Sequence, residues 1–179
     1  MIGLLIAAGV ASTPPANPAS MKTILSCQLE SGSQVQLQSQ ADPVQDGDRF
    51  YLTLNGKMDD ALVDIPGANY VGKLVLSKCV DHVLIFAISY GAPYFKGRVL
   101  RSPAETTSLQ NIDFSEKSLP TLIYLNKWET KLVIPNIGYE VTSKYLVYRT
   151  RAGKGQDESA TPTDSLPSSH RHRVIKIAP

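Results

Sequence analysis

Arg49-Phe-Tyr-Leu-Thr-Leu-Asn-Gly56 is the stretch from which the fold is read. Six strand-forming residues run into Asn55-Gly56, the dipeptide that best accommodates the positive φ angles of a two-residue hairpin turn. Upstream, Val35-Gln-Leu-Gln-Ser39 alternates apolar and polar residues with the period of a half-buried strand. Downstream, residues 73–77 and the apolar run Val83-Leu-Ile-Phe-Ala-Ile88 flank Cys79. Residues 94–100, 122–125, 131–134 and 144–149, with Val174-Ile-Lys-Ile177, bring the total to about nine candidate strands. Asp81-His82 and Gly91-Ala-Pro93 punctuate them as turns. No window longer than about ten residues carries a helical period, so the most helix expected is a short turn at 104–110 or 115–119. Regularly spaced short strands without intervening helices cannot build a parallel sheet. The expectation is therefore all-β: an antiparallel barrel or sandwich of about 8–9 strands in a single domain.

Three zones organise the chain. Residues 1–20 read as a signal peptide and lead-in: the uncharged run at 2–11 has the shape of a secretory h-region, and Pro14, Pro15 and Pro18 follow it. Gly9 and Ala11 suit cleavage after Ala11, although no Lys or Arg precedes the run. The alternative is a buried apolar strand or helix at the N-terminus. Residues 21–150 hold the β signals. Residues 151–169 are a polar, low-complexity linker with almost nothing to bury, and the segment at 174–177 beyond it is either a returning edge strand or a solvated end.

The composition excludes several classes. A hydrophobic content of 42% is too high for global disorder. The run at 83–88 is strand-length, far short of the roughly 18 apolar residues a membrane span needs. Acidic and basic residues cancel, 13 against 13, between Met21 and Thr150, and the net +2 lies in the last 29 residues. A neutral body with a mildly basic tail lacks the clustered basic face of a nucleic-acid binder. The only cysteines are Cys27 and Cys79. In an oxidising compartment they make one disulfide, closing a loop of about 50 residues for roughly 4 kcal/mol of stability. The competing reading is two buried free thiols.

Reaction chemistry has little to build on. Two of the three histidines, His170 and His172, lie beyond the polar linker, His82 sits in a turn, and no Gly-x-Ser-x-Gly elbow is present. Asp42, Asp46 and Asp48 crowd one loop but lack the ligand order of an EF-hand. No catalytic residue, metal ligand or cofactor is expected.

Cys27, Gly32, the alternating Val35-Gln-Leu-Gln, Pro66-Gly67-Ala-Asn-Tyr70 and Ser77-Lys78-Cys79 follow one another in a familiar order. Over residues 25–88 the chain resembles the bacterial inhibitors of C-type lysozyme, small exported β-barrel proteins. Those carry an early Cys, a Ser-Gly-x-x-Tyr motif and a Thr-Lys-Gly. Pro66 stands where the family presents its serine, and Cys79 where it has glycine; Lys78 transfers intact. The resemblance implies that Lys78 and Tyr70 contact a partner, with Lys78 pairing to a catalytic carboxylate.

A further candidate is Trp128, the single tryptophan, between Lys127 and Glu129 at the bend of two strands. It either anchors a partner, as exposed Trp often does, or plugs the end of a barrel with Tyr139, Tyr145 and Tyr148 packed beside it. Together these features suggest an exported, periplasmic or secreted binding protein that occludes a partner enzyme. It would be an inhibitor or immunity protein against an enzyme attacking cell walls or membranes. The alternative is a structural or accessory subunit of an envelope or secretion assembly, paired through the segment at 174–177.

Overall fold

The computed structural model describes residues 20–62, 70–105, 108–138 and 141–177. Residues 1–19, where the signal peptide and lead-in are expected, and Pro66, Gly67 and Tyr139 lie outside the described residues.

The structure is all-β, with 14 strands in antiparallel sheets and no helix among the described residues. In chain order they are β1 (Lys22–Gln28), β2 (Gln34–Ala41), β3 (Asp48–Leu54), β4 (Lys57–Asp60), β5 (Val71–Val80), β6 (Val83–Gly91) and β7 (Tyr94–Arg101). There follow β8 (Gln110–Glu116), β9 (Leu122–Leu125), β10 (Glu129–Pro135), β11 (Tyr145–Arg151), β12 (Gly155–Gln156), β13 (Thr161–Thr163) and β14 (Arg173–Lys176). The first sheet runs β1-β2-β3-β5-β6-β7-β8, with β4 also on β3. The second runs β12-β11-β10-β9-β14, with β13 also on β11. Neither closes into a barrel; they pack as a sandwich.

The apolar run at 83–88 explains the layering. A strand buried on one face alternates, whereas one buried on both faces is apolar throughout. Here Val83, Ile85 and Ala87 pack with Val99, Ile112, Ile123, Leu132 and Ile134, joining the first sheet to the second. Leu84, Phe86 and Ile88 pack with Val35, Leu37, Phe50 and Leu52 on the opposite face. The β1–β3 half of the first sheet thus folds back over β6. The Cys27–Cys79 disulfide ties β1 to β5 across that fold, with the Cα atoms 5.4 Å apart. Cys27 is buried, while Cys79 is exposed on its strand. Gly97 admits a close approach at the centre: a Cβ there would stand 2.4 Å from the Phe114 ring and from the Phe86 carbonyl oxygen.

Both two-residue hairpins form. Asn55 and Gly56 take φ of 48° and 86°, and Asp81 and His82 take 53° and 63°. Left-handed conformations at both central positions match the right-handed strand twist.

Several elements differ from the sequence reading. The strand count exceeds 8–9 because β1, β4, β8, β12 and β13 add to the expected set. No helical turn forms at 115–119, and Gln110 enters a strand. Along β8, Gln110, Ile112 and Phe114 are buried, and the residues between them are partly exposed. Its partner β7 supplies a full ladder from Phe95↔Glu116 to Arg101↔Gln110, which local propensity does not register. The polar segment 151–169 is a linker in composition, with mostly exposed side chains. Its main chain is nevertheless used, since β12 and β13 both pair with β11. The terminal segment is a returning strand: β14 pairs with β9 and buries Ile175, and Ile177 follows it into the core.

Candidate functional site

Trp128 stands at the tip of the β9–β10 hairpin with 58% of its surface exposed. It does not plug the end of the sandwich. Asn126 builds the turn beneath it. Its Oδ1 accepts hydrogen bonds from the backbone N–H of Trp128 (2.9 Å) and of Glu129 (2.8 Å). Asn126 N–H donates to the Glu129 carbonyl at 3.0 Å, and Ala152 N–H donates to the Trp128 carbonyl at 2.8 Å. Asparagine suits this position because its short amide replaces the missing backbone acceptors of a turn. The ring is therefore carried on a turn whose backbone is held at Asn126, Trp128 and Glu129. Lys127 lies beside it, with Nζ 5.0 Å from the ring centroid, and also pairs with Glu105. Tyr145 and Tyr148 lie on β11 of the same sheet and pack elsewhere.

Two charged networks support this hairpin. On the outer face of the second sheet, Glu129 receives Lys131 (2.9 Å), Arg149 (3.3 Å), Arg151 (3.4 Å) and His172 (3.3 Å). Burial alone would raise the Glu129 pKa. Hydrogen bonds from Lys131 and His172, with the charges of Lys131 and Arg149, outweigh it and hold the carboxyl below its ordinary range. Between the sheets, the buried Arg101 donates through Nη1 to the Asn126 carbonyl at 2.8 Å and through Nη2 to Glu30 at 3.1 Å. Arg173 reaches the same Glu30 at 2.7 Å and Asp81 at 3.0 Å. The relay Asn126–Arg101–Glu30–Arg173–Asp81 thus links the Trp128 turn to the β5–β6 turn and to β14. His82 Nδ1 adds a bond to the Gln28 carbonyl at 2.9 Å.

The three expected contact residues are not brought to one place. Lys78 lies opposite Ile85, three residues before Asp81 and so towards the Trp128 end. It shares its face with Leu76 and Val80, half-buried against the second sheet. Tyr70 precedes the other end of β5. There its ring meets Tyr90 edge-on at 5.6 Å and lies under Lys96 Nζ at 4.4 Å. At about 3.3 Å per residue, the strand separates Tyr70 from Lys78 by more than 20 Å. Asn126, Arg101, Glu30, Glu129 and Arg173 were not singled out from sequence. Only Asn126, next to the bend at Trp128, carried a local signal.

Among the described residues no group of three or more His, Cys, Asp or Glu side chains is placed to hold a metal ion. No helix among them is long and apolar enough to cross a membrane. In comparisons with known proteins, no family model, curated protein or solved structure matches the chain.

Proposed function

We propose that this protein acts outside the cytoplasm as a binding protein that occludes a partner enzyme. The partner would be an enzyme attacking cell walls or membranes, and the protein its inhibitor or immunity factor. The observation that carries the reading is the exposed Trp128 on a turn pinned from both sides. Little backbone entropy is left to lose when such a protrusion enters a cleft, and a large flat ring offers area that water solvates poorly. The disulfide between Cys27 and Cys79 supports an oxidising compartment. Lys78, towards the same end of the molecule, is the residue this reading assigns to a carboxylate of the partner enzyme; Tyr70, at the far end, falls outside this footprint.

The test mixes the purified protein with a panel of lysozymes and with toxins encoded beside its gene. Trp128 fluorescence reports binding, because the protein has a single tryptophan. A complex that protects the substrate, and that Trp128→Ala weakens at least about 30-fold (roughly 2 kcal/mol), is the expected result. The same variant should unfold within about 0.5 kcal/mol of the parent, since the ring packs against no core cluster. A protective complex indifferent to Trp128→Ala moves the site elsewhere. Neither complex nor protection across the panel overturns the reading.

A further inference from the structure

Residues 164–172 carry the chain from β13, at one edge of the second sheet, to β14 at the other, across the sheet's outer face. Between this strap and the sheet lies a pocket of about 250 Å³. Lys131 of β10 and Arg149 of β11, directly opposite one another in the ladder, form its floor. Thr161, Ser165 and Ser168 line it with hydroxyl side chains, and Leu166 and Pro167 add an apolar side. Ser168 Oγ accepts from the His170 N–H at 3.2 Å, which leaves its own O–H to donate. Both floor cations are paired. Glu129 serves Lys131, Arg149, Arg151 and His172 together, and Asp157 lies 3.9 Å from Arg149 and 3.3 Å from Arg151. Three permanent cations therefore meet two carboxylates, and their N–H groups outnumber the lone pairs offered to them. The buried Arg149 Nε–H shows the surplus, since it makes no hydrogen bond. Asp164, the acid of the strap, accepts from the Lys144 N–H at 3.1 Å.

We propose that this pocket binds a small soluble phosphomonoester. The phosphate sits over Lys131 and Arg149 and accepts from the hydroxyls of Thr161 and Ser168, while the carbon skeleton lies against Leu166 and Pro167. Guanidinium and ammonium groups bind phosphate by charge-assisted hydrogen bonds. A tetrahedral group with three terminal oxygens reaches a cationic floor and a hydroxyl wall at once, which a planar carboxylate does not. The pocket is smaller than the roughly 300–1,000 Å³ of drug-sized sites, so the ester is a short one. The inference rests neither on Trp128 nor on the partner-enzyme reading.

Calorimetric titration of the intact protein with sodium glycerol 3-phosphate tests it, with inorganic phosphate, sodium acetate and glycerol as comparisons. Saturable 1:1 binding of the ester is expected, at least about tenfold tighter than acetate and weakened by added salt. Glycerol should not bind, and inorganic phosphate should bind more weakly than the ester. Arg149→Gln should weaken ester binding at least about tenfold, and Ser168→Ala about threefold. Should Arg149→Gln fail to fold, the backbone amides of residues 161–168 in the unaltered protein provide the readout. Their shifts must move on titration with glycerol 3-phosphate and stay still with glycerol. Acetate or inorganic phosphate binding as tightly as the ester, a folded Arg149→Gln that binds unchanged, shifts confined to other amides, or no saturation overturns the proposal. So does binding to phosphatidic acid vesicles without binding to free glycerol 3-phosphate.

Discussion

β6 of the first sheet has a core on each face, and the two sheets are held shut by different means. The first folds back on itself and is tied there by a covalent bond between Cys27 in β1 and Cys79 in β5. Most of its neighbouring strands are also neighbours in sequence. The second sheet takes its edge strand β14 from beyond a long polar segment, and Arg173 at the start of that strand reaches Glu30, 143 residues away. A disulfide acts largely by limiting the unfolded chain and is indifferent to pH and salt in the native range. An ion-paired clasp needs both charges intact and weakens where water and salt reach it. The comparison teaches that the half carrying the exposed Trp128 is secured by electrostatics and packing, and the half behind it by sulfur.

Removing the sulfur tie is the strongest way to break that contrast. The Cys27→Ala/Cys79→Ala double variant should lose about 4 kcal/mol in urea unfolding, in proportion to the closed loop. A loss under 1 kcal/mol would mean that the first sheet is held by packing alone. Next, Ile175→Ala should cost about 3 kcal/mol, since Ile175 is buried in the core joining the sheets. Hydrogen exchange should then show β9 amides losing protection before those of β2 and β3. Equal loss everywhere would make the two sheets a single cooperative unit. For the same reason, deleting residues 170–179 should destabilise the monomer and not merely remove an assembly strand. Glu30→Gln should cost about 2 kcal/mol, because it leaves the buried Arg101 without its carboxylate. Arg173→Gln should cost less, its side chain being half-exposed.

The smallest effect is in acid. The folded pKa of Glu129 lies below the ordinary 4.5, so the unfolded state binds the proton more readily. Its contribution to stability is complete above pH 4.5 and disappears as the pH falls through the lower folded value. Glu129→Gln should flatten that acid limb of the stability curve and leave the disulfide's contribution unchanged. An acid limb identical to the parent's would assign the loss to other carboxylates.

Legibility in the sequence followed the range of the interactions. Asn55-Gly56 and the run at 83–88 declared a hairpin and a fully buried strand, because turn geometry and burial on two faces act residue by residue. Gln110-Asn-Ile-Asp-Phe-Ser-Glu116 carried a period of two but opens and closes with polar residues. What makes it a strand is the β7 ladder and the seat of Phe114 over Gly97. Residues 161–163 have no apolar content to announce a strand, yet β11 offers a ladder of free main-chain groups and they pair with it. The exposed tryptophan was legible as a bend; its orientation was not. That depended on Asn126 being anchored by Arg101, a contact between two sheets.

What the amino-acid sequence by itself determined was the class of architecture, the hairpin turns and the identity of the two sulfurs that pair. Those rest on local φ preference, side-chain periodicity and a cysteine count of two. What only the tertiary structure decided was the doubling of β6 into two cores, the return of β14 and the separation of Tyr70 from Lys78 and Trp128. It also created the ion-paired end of the molecule around Trp128. The reason is that this end is made by residues up to 143 positions apart, and no window along the chain contains the energy of a contact whose partner lies outside it.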